Sequence, residues 1–342
     1  MHSLAIYDAV SGVLRARPTN ADQRREAFAA PLEIWKRVLA FEGCAVQFER
    51  TLQRAGVMRE VPLALRRFLL DSTGASLRQS VIAQGQLAAI CMLAERHGVR
   101  LLVLKGAARL IAGTLGGTRS IADIDLLASP DDAVRLHALM RSEHGYTVVG
   151  AAQPHHLAPL ARRDAMAVEI HVRLAHEELP LDTAIWTDTV RIPVGGTSVE
   201  IPSATSRLLH TLEHATSLNW MSRYRLRDIM DVAACFTSDV SVSAVSAYVR
   251  SSPRRAALET ILSAAHEVES RIPRRTVDAW KTIRRVSRAR LAVAIPFGRS
   301  VVAERLFRYA GVFAEGSPAM FARAGMTAAK WVRAASVALM GM

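Results

Sequence analysis

Cysteine is scarce in this sequence, and the three that occur are far apart. Cys44, Cys91 and Cys235 form no CxxC pair of the kind that binds zinc or carries out redox chemistry. Their number is odd, which agrees with a cytoplasmic protein that has no disulfide framework. We therefore expect three buried packing residues.

Long apolar runs are also lacking. No run reaches the roughly 18 to 20 residues that a helix needs to cross a bilayer. The first twenty residues have no basic start of the kind that signal peptides show, and Asp8 interrupts their short apolar stretch. The sequence therefore predicts a cytoplasmic protein without a membrane span.

Lysine and aromatic residues are few, although the chain is strongly basic. The net charge is +13, yet only four of the 44 basic residues are lysines, and aromatic residues make up 6% of the chain. Residues 250–342 hold 17 Lys/Arg against 6 Asp/Glu, so +11 of the charge lies there. Within that part, Arg284, Arg285 and Arg288 lie at roughly helical spacing. Two interpretations stay open: a surface that binds RNA phosphates, and a solvated helical face.

The spacing of apolar residues divides the chain into three regions. Residues 1–98 show mostly helical spacing and include one long helix that ends at Gly98, and residues 202–342 return to helical spacing. Residues 99–201 alternate short apolar runs with turns, which is typical of strands. Gly195-Gly196 predicts a hairpin. Strands are predicted around residues 101–104, 123–127, 146–149, 155–160 and 167–172.

Two aspartates stand two residues apart in one of these strands. Asp123 and Asp125 flank Ile124, so both carboxylates project from the same face. Charges of the same sign this close raise each other's pKa, and a divalent cation relieves the repulsion. Mg²⁺ prefers carboxylate oxygens and keeps positions for substrate phosphates. A solvated pair of acids is the alternative interpretation.

A third carboxylate lies in the apolar strand AVEIH. Glu169 and His171 share one face of that strand by the same alternation. Placed beside the aspartates, Glu169 completes the ligands of a site for two metal ions, of the kind that catalyses in-line displacement. The alternative is a strand that turns its polar residues to solvent.

Lys105-Gly106 lies where a predicted strand meets a helix. Glycine allows close approach of the backbone to a phosphate, and a helix start offers free N–H groups. Arg119, preceded by Gly116-Gly117, is a candidate bidentate donor to a triphosphate. Arg109 is a weaker candidate because its helix can direct it to solvent. An ordinary turn glycine is the alternative at position 106.

Polar residues of the later helices leave two interpretations open. His210 and His214 lie one helical turn apart, which suits zinc, although packing is the more common use of such a pair. Arg227, Asp228 and Asp231 either line a cleft or form salt bridges on a helix surface.

The motifs in order resemble those of a known family. The stretches LLVLKGAARL, TRSIADIDLLASPDDA, GYTVV, HHLAPL and AVEIHVRL, followed by LLHTLEHATSLNWMSRYRLRDIMDVAACF, span roughly residues 60–240. They resemble the largely uncharacterised bacterial nucleotidyltransferases of the DNA polymerase β superfamily. The resemblance implies an α+β fold, with a polymerase β-type core of a small mixed sheet and flanking helices between helical terminal regions.

The resemblance also implies a reaction. The expected activity is transfer of NMP from an NTP, with ATP expected, to an acceptor hydroxyl, with release of pyrophosphate. Mg²⁺ is the expected metal and Mn²⁺ the alternative. The acceptor is left open among a small molecule, a peptide, a protein and RNA. An inactive NTP-binding module and a toxin-like enzyme acting on tRNA are the alternative functions.

Residue by residue, the resemblance assigns seven positions. Asp123, Asp125 and Glu169 match the catalytic, metal-binding carboxylates, and their presence argues against an inactive module. The positions matched to nucleotide binding are Lys105, Gly106, Arg119 and His171, of which His171 has no assigned role in the family pattern. One departure is Ala107, where many relatives have serine or glycine, so a hydroxyl contact to phosphate is lost.

Overall fold

The computed structural model describes residues 2–14, 25, 27–113, 119–175, 179–216 and 224–269, and the single positions 272, 279 and 283. Over these residues the protein has the predicted α+β fold, with helices on both sides of the sheet region in the sequence. The basic positions Arg284, Arg285 and Arg288 lie outside the described residues. No helix among those described is long and apolar enough to cross a membrane.

Helices account for most of the regular structure. Those before the sheet are α1 (His2–Leu14), α2 (Leu32–Glu42), α3 (Ala45–Arg54) and α4 (Leu63–Arg96). Those within the sheet region are α5 (Lys105–Ile111), α6 (Pro130–His144) and the short α7 (Leu181–Ala184). Those that follow are α8 (Ala204–Ala215), α9 (Leu226–Cys235), α10 (Val242–Ser251) and α11 (Arg255–His266).

Seven strands form two sheets among the described residues. They are β1 (Leu101–Val103), β2 (Asp123–Ala128), β3 (Thr147–Val148), β4 (Leu160–Ala161), β5 (Ala167–His171), β6 (Thr189–Val194) and β7 (Thr197–Pro202). The first five form a mixed sheet in the order β1-β2-β5-β4-β3, in which β2 and β5 run parallel and the other neighbours antiparallel. Strands β6 and β7 form the predicted hairpin. The two strands with carboxylates are therefore direct neighbours at the centre of the sheet.

The predicted strand at residues 155–160 was mostly wrong. Only Leu160 belongs to a regular strand, and His156 makes isolated bridges to Gln153 and His171. The segment turns tightly at Pro154-His155 so that His156 reaches β5, and this turn interrupts the regular alternation of a strand.

The long predicted helix exists and begins earlier than its apolar pattern indicated. Helix α4 runs for 34 residues, and Gly98 follows it in the left-handed conformation at φ +64°. Its second half packs on the sheet, and the hairpin tip lies against it: a Cβ at Gly195 would lie 2.8 Å from the Cβ of Ala88. With φ at +56° as well, position 195 requires glycine.

Two clusters of buried apolar side chains hold the elements together. One combines helices from both ends of the described chain, including α1, α2, α8, α9 and α11, with one face of β1 and β2. The other fills the space between the second half of α4, α6 and the sheet. Because the first cluster draws on both helical regions, these regions pack on each other beside the sheet. The boundaries at residues 98 and 201 stay predictions.

Candidate active site

The register of β2 and β5 brings the predicted carboxylates together. In this parallel pair Asp125 lies opposite Glu169, and Leu127 lies opposite His171. Because side chains alternate along a strand, Asp123, Asp125, Glu169 and His171 project from one face of the sheet. Acids that are far apart in the sequence are thus neighbours.

Asp125 is the centre of this group. It is 2% exposed, and its Oδ1 accepts hydrogen bonds from Nζ of Lys105 at 2.7 Å and Nε2 of His171 at 2.9 Å. The same Nε2 lies 3.6 Å from Oε2 of Glu169. Burial acts to raise the pKa of Asp125, but Lys105 and His171 hold it well below its usual range. Asp125 is therefore a buried carboxylate kept ionised.

A candidate metal-ligand set is present among the described residues. One donor atom each from Asp125, Glu169 and His171 lie within 4.8 Å of one another. The nearby imidazole of His171 lowers the pKa of Glu169, although burial and Asp125 act to raise it. Two ionised oxygens and an imidazole nitrogen therefore converge within the span of a metal site.

Asp123 differs from Asp125 in its surroundings. It lies outside this three-residue group, and burial together with the charge of Asp125 raises its pKa to about 6. Lys105 acts in the opposite direction and offsets only part of the effect. The pair on β2 therefore consists of one ionised carboxylate and one that protonates easily, which is what repulsion between close acids produces.

Lys105 reaches Asp125 through an unusual backbone conformation. Its φ is +47°, a left-handed value that costs a residue with a Cβ about 1–2 kcal/mol. The N–H of Leu104 donates to the carbonyl oxygen of Asp125 at 2.9 Å, which fixes the end of β1 beside β2. Burial acts to lower the pKa of Lys105, but Asp125 raises it, so the ammonium stays charged.

Gly106 leaves room that Arg119 uses. A Cβ at position 106 would lie 3.3 Å from Nη1 of Arg119 and 3.7 Å from Cγ1 of Ile121. The same Nη1 lies 3.0 Å from Oδ2 of Asp231 in α9. The guanidinium thus crosses the turn after β1. Arg109 is 3% exposed and pairs with Asp231 as well, so it does not face solvent, which was the alternative that the sequence left open for it.

Histidines surround the carboxylates beyond what the sequence indicated. The rings of His155 and His156 have centroids 5.4 Å from that of His171. Burial and Lys105 lower the pKa of His210 and of His214 to about 3, so both are neutral. The adjacent pair at 155–156 was visible in the sequence, but its contact with His171 depends on the turn before β4.

One comparison with known proteins identifies a family. A family model described as "uncharacterised nucleotidyltransferase" matches residues 37–269. No curated protein matches the chain. A solved structure of an antigenic nucleotidyltransferase-like protein from Paracoccidioides brasiliensis matches at 16% identity and a TM-score of 0.33, covering 53% of this chain and 94% of that one. Since the family model spans more than half of the sequence and includes every residue of the site, the chain belongs to this family of uncharacterised nucleotidyltransferases.

Proposed function

We propose that this nucleotidyltransferase moves NMP from an NTP to an acceptor hydroxyl by in-line displacement at the α-phosphorus, with ATP as the expected nucleotide. The observation that carries the proposal is the shared face of β2 and β5. Three carboxylates meet there, and Lys105, Gly106 and Arg119 lie at its edge. Acids with cations beside them match the needs of a nucleotide bound with a divalent cation.

The residues present fit a divalent cation, with Mg²⁺ as the expected ion and Mn²⁺ as the alternative. Asp123, Asp125 and Glu169 would hold it. Burial raises the pKa of Asp123 most, and the charge of Asp125 raises it further, which is negative charge that a cation would compensate. When bound, two such ions activate the attacking hydroxyl and stabilise the charge of the transition state.

The remaining residues bind and orient. His171 links Asp125 to Glu169 and so fixes the two carboxylates relative to each other. Arg119, across the turn at Gly106, would bind the phosphate chain, because a guanidinium matches phosphate oxygens. Lys105 would supply a second positive charge. The acceptor hydroxyl would give its proton to a carboxylate of the site. Its oxygen bonds to the α-phosphorus, the bond from that phosphorus to the bridging oxygen breaks, and pyrophosphate leaves.

Labelled nucleotides test this proposal directly. The full chain would be incubated with cell extract, Mg²⁺ and NTPs labelled at either the α- or the γ-phosphate. Transfer of NMP places the α-label, but not the γ-label, on an acceptor and releases pyrophosphate. Fractionating the labelled material would then separate RNA from protein, peptide and small-molecule acceptors.

A pair of variants controls the experiment. Asp125→Asn should lose at least roughly 100-fold of the transfer, because a metal ligand is replaced without a change of volume. Asp164→Asn is the matched control, since Asp164 is exposed and its left-handed φ of +58° also suits asparagine. Transfer of the γ-label, or full activity in Asp125→Asn, would contradict the proposal.

A further inference from the structure

One acid of the C-terminal helices joins two arginines of the core. Asp231 of α9 lies with its Oδ1 2.5 Å from Nη1 of Arg109 and its Oδ2 3.0 Å from Nη1 of Arg119. Asp231 is 5% exposed and Arg109 is 3% exposed. Both oxygens of this buried carboxylate thus bind guanidinium groups. One guanidinium comes from α5, and the other comes from the segment that precedes β2.

Two further arginines lie close to Arg119. Burial lowers the pKa of Arg119, and the charges of Arg227 and Arg109 add to that effect, whereas Asp231 opposes it. A buried cation is costly unless an opposite charge compensates it, and Asp231 supplies that charge to Arg119.

Arg119 is the member of this cluster that faces the candidate active site. Its Nη1 lies beside the space left by Gly106, and its charge acts on Asp123. Its Nε is buried and has no hydrogen-bond partner among the described residues. The guanidinium, whose Nη1 lies 3.3 Å from the position of a Cβ at Gly106, therefore has one donor that the described residues do not use.

We propose that Asp231 is a positioning residue for the nucleotide: it holds Arg119 across the Gly106 turn so that this arginine can bind the phosphate chain. The inference rests on the proposed function, because it assigns Arg119 to the same nucleotide. It makes α9, which begins about 120 residues beyond Gly106, a required part of the site. Arg109 occupies the other oxygen and keeps the carboxylate from rotating.

The principal test separates positioning from a general role in stability. In Asp231→Asn the volume is kept and the charge is lost, so Arg119 is held less tightly. We expect KM for NTP to rise roughly tenfold or more while kcat changes less. Calorimetry should show the same weakening for inorganic tripolyphosphate, which carries the phosphate chain without base, sugar or transferable NMP.

The matched control is another buried acid that pairs with an arginine. Glu213 of α8 is 4% exposed and lies 2.9 Å from Nη1 of Arg254, away from Arg119. Glu213→Gln should lower the melting temperature, as the loss of a buried pair does, and leave both KM and tripolyphosphate affinity unchanged. A loss of affinity in this control equal to that in Asp231→Asn would overturn the assignment.

A double variant shows whether Asp231 acts through Arg119. If it does, adding Asp231→Asn to Arg119→Gln should raise KM no further, whereas independent effects would multiply. Multiplying effects, or a wild-type KM in Asp231→Asn, would refute the proposal. Should Asp231→Asn fail to fold, Asp231→Glu keeps the charge and shifts the carboxylate by one methylene, and it must also raise KM.

The outcomes for the two proposals can be told apart. If the wild-type chain binds tripolyphosphate in a manner that depends on Asp231 but transfers no NMP, the positioning role stands and the transfer reaction is wrong. If NMP is transferred and Asp231→Asn is indistinguishable from the wild type in KM and binding, the positioning role alone is wrong. If neither ligand binds the wild-type chain, both are wrong.

Discussion

Nζ of Lys105 lies 2.7 Å from Oδ1 of Asp125, so a positive charge of the chain itself neighbours the innermost carboxylate of the site. Asp125 is nearly inaccessible to solvent, whereas the side chain of Lys105 is 22% exposed. The ammonium stabilises the ionised carboxylate, as a bound cation would.

The first prediction follows from this ion pair. Lys105→Met keeps most of the volume and removes the charge, which leaves a buried carboxylate with less compensation. We expect a loss of about 2–4 kcal/mol in the free energy of unfolding and of at least roughly tenfold in activity. Added Mg²⁺ should raise the melting temperature of this variant more than that of the wild type.

Lys36→Met is its control. Lys36 also lies 2.8 Å from an acid, Glu33, but both side chains are exposed. Such surface pairs contribute at most about 0.5–1 kcal/mol, so stability and activity should barely change. Similar losses in the two variants would show that Lys105 has no special role.

The second prediction concerns stability against pH at Asp123. Its pKa in the folded chain is about 6, above the ordinary 3.8, so folding takes up a proton between these values. The stabilising contribution is therefore complete below about pH 4 and is lost as the pH rises through about 6. Without metal at pH 7, the free energy of unfolding of Asp123→Asn should exceed that of the wild type by on the order of 1–2 kcal/mol. The variant should therefore unfold at a higher temperature.

Two measurements check this sign. Thermal unfolding without metal from pH 4 to pH 8 should show a decline for the wild type that is smaller in Asp123→Asn. Activity should nevertheless fall at least roughly 100-fold in the variant, because a proposed metal ligand is lost. A variant that is less stable than the wild type at pH 7, or as active, would contradict this account.

The carboxylate face could be predicted from the sequence because the alternation of side chains along a strand is a local rule. The partner strand β5 could be recognised because it is strongly apolar. Alternation along β2 places Asp123 and Asp125 on one side, and the same rule applied to AVEIH places Glu169 and His171 together. The two faces meet because β2 and β5 are neighbours, a pairing that the sequence left open and the structure shows. Their parallel register, which sets Asp125 opposite Glu169, comes from the structure.

Other parts of the site depend on contacts that no local pattern encodes. Lys105 meets Asp125 because its backbone turns left-handed, and lysine gives no sequence signal for that conformation. Asp231 pairs with Arg109 and Arg119 across more than 100 residues, so the sequence left salt bridges on a helix surface and a cleft lining equally open. The turn at His155 broke the alternation used to predict a strand there.

The third prediction separates binding from chemistry at Glu169. Glu169→Gln keeps Asp123 and Asp125, which would still hold the ion that accompanies the nucleotide. We expect kcat to fall at least roughly 100-fold while the affinity for NTP changes less than about threefold. Single-turnover transfer and calorimetry measure the two quantities.

Glu143→Gln serves as the comparison for Glu169→Gln. Glu143 lies on α6 and pairs with Arg96 at 3.0 Å, outside the site. Its variant should keep both quantities at their wild-type values. If Glu169→Gln lost affinity and rate by the same factor, the proposed division between nucleotide binding and activation of the acceptor would be wrong.

The last prediction uses the space at Gly106, where φ is not positive and only the neighbours limit the side chain. Alanine there meets the flexible end of Arg119 at 3.3 Å, so a small shift of the guanidinium accommodates it. Valine adds two methyl groups beside Arg119 and Ile121, so it must displace the arginine and fill part of the phosphate site. We expect KM for NTP to rise less than about threefold in Gly106→Ala and more than about tenfold in Gly106→Val, with kcat less affected.

Gly85→Ala is the control. Gly85 lies in α4, and a Cβ there would have no neighbouring atom within 4 Å. This variant should therefore gain stability by up to about 1 kcal/mol with unchanged kinetics. Equal KM values in Gly106→Val and the wild type would show that the nucleotide does not approach this turn.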